Sequence, residues 1–188
     1  MRGKRMNRKH EWFVKVQALC MAAMITLAAL CQPVKVQAAE VVQPSLGIDV
    51  SRYQGQIDWA QVAASGVQFA MIRVGYRTQN TGVLNEDPYA RYNLQEATKA
   101  GIKVGAYFFS SAVNAQEAVE EAEFTANILD KYQITYPVAY DCEGFRNSTS
   151  RQYALGKDVR TALAVGFLDV IAQRGYTCLL YTSPSPRD

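Results

Sequence analysis

Residues 137–143 have the sequence Pro-Val-Ala-Tyr-Asp-Cys-Glu, a short apolar run that closes on two carboxylates. A run of this kind is typical of a buried strand. Because side chains alternate between the faces of a strand, Asp141 and Glu143 are predicted to share one face, with Cβ atoms about 6 to 7 Å apart. At that separation one carboxyl can stay protonated beside an ionised neighbour. Such a pair is suited to the cleavage of glycosidic bonds.

Four other short apolar runs flank this strand and alternate with longer amphipathic stretches. The predicted strands are residues 46–51, 69–76, 103–110, 137–143 and 177–181. The predicted helices are residues 58–64, 88–100, 115–132 and 150–174, the last with Gly156 or Gly166 as the place for a break. Asn114 and Ser150 are expected to cap the third and fourth helices, and glycines 66, 101 and 175 to follow helix ends. This alternation indicates an α/β fold with a parallel sheet.

In the first and fourth predicted strands, apolar side chains lie on one face and small or polar side chains on the other. In the first, Ile48 and Val50 alternate with small and polar residues that include Asp49, and the fourth repeats the pattern around Asp141 and Glu143. Helices on the apolar face and a small, polar interior favour an irregular, TIM-like β/α barrel over an open doubly wound sheet. Asp49 and Glu143 lie near the carboxyl ends of their strands, where barrel enzymes place catalytic groups.

The first 38 residues have the pattern of a secretory signal peptide. Basic residues precede the apolar stretch 18–30, and Val36-Gln37-Ala38 offers small residues for cleavage. We therefore expect a secreted or cell-wall-associated protein that leaves the membrane once the signal is cleaved. An uncleaved N-terminal anchor is the alternative.

Charge and histidine content exclude several function classes. Residues 1–38 hold seven of the 20 Lys and Arg but one of the 17 Asp and Glu, so the rest of the chain has a net charge of −3. No basic patch remains, which argues against nucleic acid as a partner. The only histidine, His10, lies in the signal. Carboxylates are therefore expected to act as the general acid and base, and no histidine-ligated metal is expected.

Two cysteines, Cys142 and Cys178, remain after the signal and lie on predicted strands. These cysteines could form a disulfide with each other or remain two buried thiols, and we expect the thiols. The third helix carries an acidic run that is expected to lie mostly on its solvent-exposed face: Glu117, Glu120, Glu121 and Glu123.

The end of the chain is unusual for a barrel. The sequence predicts five strands, whereas a closed barrel needs about eight. We therefore expect residues 39–181 to be a truncated catalytic domain and residues 182–188 to be a non-native tail. We expect the functional protein to be a monomer. The chain as written, with an unclosed sheet, is expected to be unstable or to aggregate.

Several motifs occur in order and at consistent spacing between residues 45 and 181. They are GIDVS at 47–51, QG at 54–55, IDW at 57–59, IRVGY at 72–76, GAYFFS at 105–110 and PVAYDCE at 137–143. Together they resemble the glycoside hydrolase family 25 lysozymes. The resemblance implies an irregular β/α barrel with fewer helices than strands. It also implies N-acetylmuramidase activity on peptidoglycan, the β-1,4 bond between N-acetylmuramic acid and N-acetylglucosamine being hydrolysed without a metal or organic cofactor.

The resemblance also assigns residues. Glu143 matches the family's general acid, and Asp141 and Asp49 match acidic residues of its active site. By the chemistry of the pair, Asp141 is expected to stay ionised while burial keeps Glu143 protonated. A further family carboxylate, on a late strand, has no counterpart in this sequence.

Three further residues are candidates for substrate binding. Tyr107 and Tyr76 have ring faces suited to sugars, although packing in the core is the other interpretation. Arg73 either contacts sugar or pairs with an interior carboxylate. Two alternative functions stay open for the whole chain, a chitinase-like glycosidase and a catalytically inactive module that binds cell-wall glycan.

Overall fold

The structure is a computed structural model that describes residues 45–182. The predicted signal peptide and residues 183–188 of the predicted tail lie outside the described residues. Six strands form one sheet: β1 Gly47–Val50, β2 Phe69–Arg77, β3 Leu84–Glu86, β4 Lys103–Phe109, β5 Val138–Asp141 and β6 Cys178–Tyr181. The α-helices of this part of the chain are α1 Trp59–Ala64, α2 Ala90–Lys99, α3 Ala115–Leu129 and α4 Lys157–Gln173, and Arg52–Gln54 and Gly144–Arg146 are short 3₁₀ helices. None of these described helices is long and apolar enough to cross a membrane.

Four parallel strand pairings give the sheet predicted from the sequence. The order is β1-β2-β4-β5-β6, and each neighbouring pair runs parallel. The prediction omitted β3, a three-residue strand that pairs antiparallel with the end of β2. Within residues 45–182, β1 and β6 each pair on one side only, so the sheet is not closed into a barrel.

Helices cover one face of this sheet, as the alternation in the sequence predicts. The apolar side chains of the strands, among them Ile72, Phe108 and Tyr140, are buried in one cluster with residues of α2, α3 and α4. The ring of Phe167 on α4 lies 5.0 Å from the Tyr140 ring and 6.3 Å from the Phe108 ring. The polar and small residues are thereby left on the opposite face, where the carboxylates lie.

The predicted glycines follow the ends of α1, α2 and α4, and the predicted asparagine caps the start of α3. Gly66, Gly101 and Gly175 all have positive φ, and the Asn114 side chain accepts a hydrogen bond of 2.9 Å from the Glu117 amide. The prediction that Ser150 caps the last helix is wrong, because α4 begins at Lys157 after Gly156. Ser150 instead lies in a series of tight turns, where its Oγ accepts a hydrogen bond of 3.3 Å from the Gln152 amide.

The acidic residues of α3 depart from the expected solvated face. Glu121 is fully buried, and the Arg77 Nε donates a hydrogen bond of 2.7 Å to it. Ser110 donates a second hydrogen bond to the same carboxylate. Burial outweighs these partners and raises the pKa of Glu121 to about 7. The helix turns Glu121 toward the sheet because β2 presents a buried arginine at that position.

Candidate active site

The candidate site lies at the carboxyl ends of β1, β2, β4 and β5, on the face opposite the helices. In the parallel register, Arg73 of β2 lies opposite Tyr107 of β4, and Tyr107 lies opposite Ala139 of β5. Asp141 is two residues beyond Ala139 on β5, on the same face, and lies opposite Phe109. Asp49 pairs in register with Met71, two residues before Arg73. Because alternate residues share a face, four side chains predicted from the sequence come together at one edge of the sheet.

Below this edge the same face is filled by packing. A Cβ on Gly105 would lie 2.5 Å from the Met71 Sδ, so the glycine makes room for that side chain. The Phe69 ring lies against Gly47 and stacks on Tyr136 at 4.8 Å between centroids. Apolar residues therefore form the floor of the site, and the ionisable groups lie at its open end.

Asp141 is the buried carboxyl of the site. It is 7% exposed, and its Oδ1 has no hydrogen-bond partner among the described residues. The pKa of Asp141 is raised to about 7, mainly by burial and then by the charge of Glu143; Arg73 lowers it, and the charge of Asp49 adds a smaller increase. Glu143, Arg73 and Asp49 are each near enough to act on Asp141.

Glu143 differs from its predicted setting. Strand β5 ends at Asp141, and Glu143 has φ −122° and ψ −24° at the start of the 3₁₀ helix Gly144–Arg146. Gly144 permits close packing at this turn, since a Cβ there would lie 2.5 Å from the Gln79 Nε2 and 2.8 Å from the Ser150 Oγ. Glu143 is exposed, whereas Asp141 is buried. Asp141, and not Glu143, is therefore the buried member of the pair, and burial raises its pKa.

Tyr107 lies between the charged groups on β4. It is half-buried, and burial raises its pKa to about 12 while the charge of Arg73 lowers it and those of Asp49 and Asp141 raise it. The phenol is therefore a neutral hydrogen-bonding group at physiological pH.

Arg73 has a buried partner that the sequence analysis missed. Its Nε donates a hydrogen bond of 2.9 Å to the Asp87 Oδ2, and its Nη2 lies 2.8 Å from the same oxygen. Asp87 is 1% exposed and also accepts hydrogen bonds from the amides of Arg52 and Tyr89. Pairing with an interior carboxylate, one of the two interpretations of Arg73, is thus confirmed.

Two tyrosines and two arginines form what we call the arginine–tyrosine platform, composed of Arg52, Tyr53, Arg73 and Tyr76. The Arg52 Nη1 donates a hydrogen bond of 2.7 Å to the Tyr76 hydroxyl. Each guanidinium carbon lies between 5.0 and 5.2 Å from the centroids of both rings. Tyr53, which is 73% exposed, and Arg52 were not predicted as site residues. The Ser51-x-x-Gln54 capping pattern is the sequence signal that could have drawn attention to this turn.

Cys142, between the two acids in sequence, points to the helix side and is buried in the core. Burial raises the pKa of its thiol to about 11, which makes it a poor nucleophile. Cys142 and Cys178 are both free thiols, as expected, although Cys178 is only half-buried. Among the described residues no group of His, Cys, Asp and Glu is arranged to hold a metal ion.

Comparison with known proteins gives a consistent family. The model of the glycosyl hydrolases of family 25 matches residues 48–185. Lysozyme M1 of Streptomyces globisporus is 37% identical over 81 residues, which is 43% of this chain and 26% of that protein.

Solved structures agree with this result. The modular autolysin LytC of Streptococcus pneumoniae is 28% identical with a TM-score of 0.64, over 74% of this chain and 32% of that one. The same autolysin with a synthetic peptidoglycan ligand is 27% identical with a TM-score of 0.63, over 72% and 32% of the two chains. The present chain thus spans between about a quarter and a third of the length of these relatives.

Proposed function

The chain belongs to the glycosyl hydrolases of family 25, and from that premise we propose that it hydrolyses the β-1,4 bond between N-acetylmuramic acid and N-acetylglucosamine in peptidoglycan. The observation that carries the proposal is the meeting of Asp49, Asp141 and Glu143 at the carboxyl ends of parallel strands. Similarity to a lysozyme and to an autolysin solved with a peptidoglycan ligand supports the choice of substrate.

In the proposed reaction Glu143 is the general acid. Its exposure lets the carboxyl reach the glycosidic oxygen of a bound glycan strand. Glu143 gives its proton to the leaving oxygen of N-acetylglucosamine as the bond to C1 of the muramoyl residue breaks. Water then adds its oxygen to C1 and loses a proton to a carboxylate of the site, which restores the starting protonation of the enzyme and yields a new reducing end.

The other two carboxyls have different roles. Asp141 is buried and has an unpartnered oxygen, so we assign it to hold the acetamido group of the muramoyl residue by a hydrogen bond. Asp49 is exposed and supplies negative charge near C1, where positive charge develops. Tyr107, Tyr76 and Arg73 are proposed to line the bound sugar chain.

The test is the release of reducing ends from purified peptidoglycan by the full chain and by Glu143→Gln. We expect the substitution to lower the rate by at least about 100-fold, since a general acid contributes on the order of 10² to 10⁴. Glu123→Gln, a partly exposed glutamate of α3 that pairs with Arg174, is the matched control and should keep the rate. Activity retained by Glu143→Gln would remove Glu143 as the acid. Cleavage of chitin oligomers in preference to peptidoglycan would favour the chitinase-like alternative.

We further propose that residues 1–38 direct export and that the enzyme acts at the cell wall. The chemistry proposed uses side chains of the protein and water. Amino-terminal sequencing of the exported protein tests the first point, since cleavage after Ala38 should give a chain that begins at Ala39.

A further inference from the structure

The arginine–tyrosine platform beside the carboxylates holds one guanidinium that lacks an acidic partner. An ion pair with a carboxylate is formed by each of five other arginines: Arg73, Arg77, Arg91, Arg151 and Arg174. For Arg52, by contrast, the side-chain partners in residues 45–182 are the phenol oxygens of Tyr76 at 2.7 Å and Tyr53 at 3.4 Å. A guanidinium has five N–H donors, so several remain for a ligand.

Arg52 is held in place by its surroundings. Its amide donates a hydrogen bond of 2.9 Å to the buried Asp87, and the Ser51 amide donates one of 2.8 Å to the Gln54 side chain. These bonds fix the 3₁₀ turn, and the two tyrosine rings fix the side chain. An exposed arginine ordered in this way loses little conformational freedom when it binds an anion.

The position of Arg52 points to the substrate. The platform includes Arg73, whose charge acts on Asp141 and Tyr107 in the candidate active site. A glycan strand in that site would therefore pass close to Arg52. In peptidoglycan the muramoyl residue carries a lactyl arm that ends in a carboxylate, or in a peptide stem that itself bears carboxylates. A guanidinium fork matches the two oxygens of such a group.

We propose that Arg52 binds a carboxylate on the lactyl arm of the muramoyl residue and so selects peptidoglycan over uncharged glycans. The carboxylate comes from the peptide stem in intact strands and from the lactyl group itself in stripped strands. The exposed face of Tyr53 packs against the same arm. This inference rests on the proposed function, because it takes peptidoglycan as the ligand.

The experiment is a calorimetric binding series in a Glu143→Gln background, which prevents turnover. The three ligands are a peptidoglycan tetrasaccharide with its stems, the same tetrasaccharide stripped by an amidase, and the tetramer of N-acetylglucosamine. Arg52→Gln is expected to weaken binding of at least one carboxylate-bearing ligand about tenfold and to leave the N-acetylglucosamine tetramer unchanged. Arg52→Lys should retain part of the affinity, and added salt should reduce the difference between wild type and Arg52→Gln.

Arg174→Gln is the control, since it removes the same charge from the C-terminal end of α4. If Arg52→Gln loses affinity only for the stem-bearing ligand, the carboxylate that Arg52 binds belongs to the peptide stem. If it loses affinity only for the stripped ligand, that carboxylate is the lactyl group. An equal loss on all three ligands, unchanged affinity throughout, or absence of binding by the parent chain would overturn the proposal.

A parallel assay of reducing ends, with the Glu143 side chain intact, separates this inference from the proposed function. Selective binding without release would leave the Arg52 assignment standing and refute the hydrolase. Release that Arg52→Gln does not alter on any ligand, together with unchanged binding, would leave the hydrolase standing and refute Arg52.

Discussion

Asp87 links more of the candidate site than any residue singled out from the sequence. One buried carboxylate accepts hydrogen bonds from the side chain of Arg73 and from the amides of Arg52 and Tyr89. It thereby neutralises Arg73, which is itself 8% exposed, and fixes the turn that carries Arg52. The arrangement of the platform depends on this single side chain.

Replacing Asp87 should therefore destabilise the fold. We expect Asp87→Ala to lower the free energy of unfolding by about 3 to 5 kcal/mol, because it leaves the buried charge of Arg73 without its partner. The control is its neighbour Glu86, which pairs with Arg91 near the surface. Glu86→Ala should change the same quantity by less than about 1 kcal/mol. Denaturant unfolding of both variants measures this, and equal effects would contradict the role given to Asp87.

Asp141 should make stability depend on pH. Its pKa is about 7 in the fold and about 4 in an unfolded chain, so the folded state prefers the protonated form. That preference contributes fully below about pH 4 and is lost as the pH rises through about 7. We expect Asp141→Asn to become more stable than wild type by up to about 4 kcal/mol on going from pH 4 to pH 8, at 1.36 kcal/mol per pKa unit.

Thermal or denaturant unfolding across this pH range measures the difference between the two proteins. Asp169→Asn, on the exposed side of α4, is the control and should follow the wild-type curve. A constant difference between wild type and Asp141→Asn would show that burial does not shift the Asp141 titration.

Sequence patterns identified the site residues on strands and also Glu143, which follows β5, but missed Asp87, Arg52 and Tyr53 on irregular segments. Asp49, Arg73, Tyr107 and Asp141 follow from strand alternation and parallel register. Asp87 and Arg52 could not be found this way, because their contact joins two irregular segments 35 residues apart. The relative burial of Asp141 and Glu143 was also missed, since it depends on where β5 ends.

At the scale of elements, α3 docks on the sheet through a buried polar contact as well as through apolar packing. Glu121 meets Arg77 of β2 and Ser110 at the end of β4. Glu120, one residue earlier, reaches the same arginine from a half-exposed position. The helix is therefore tied to two strands at the end of the sheet where the active site lies.

Glu121→Ala should loosen this contact. We expect a loss of about 3 to 5 kcal/mol in the free energy of unfolding, because Arg77 would keep a buried charge without its main partner. Glu120→Ala, whose ion pair is partly solvated, should lose less than about 1 kcal/mol. The double substitution Arg77→Met with Glu121→Leu should recover most of the stability, as apolar replacements of buried ion pairs often do. A double variant as unstable as Glu121→Ala would contradict this account.

The elements themselves were largely predictable. Five strands and four helices have the expected order because their periodicity is strong, and the predicted strand ends agree with the structure to within two residues. Strand β3 has only three residues, too few for an alternating pattern. The start of α4 was placed too early because the turns before it contain serines and threonines that resemble caps.

At the scale of the whole molecule, the described sheet has two open edges of different character. Strand β1 has four residues, of which Asp49 is charged. On β6, Leu179, Leu180 and Tyr181 are between 46% and 51% exposed, so apolar side chains border unpaired backbone groups. An edge of this kind is a template for pairing with another chain.

We expect the full chain to self-associate at micromolar concentration through β6. Leu180→Lys places a charge on that edge and should shift the population toward the monomer, because charged side chains oppose strand pairing between molecules. Val159→Lys, at an exposed apolar position on α4 that is 45% accessible, adds the same charge away from the edge and should leave association unchanged. Light scattering coupled to size-exclusion chromatography measures both. Equal effects of the two lysines would mean that net charge, and not the β6 edge, governs association.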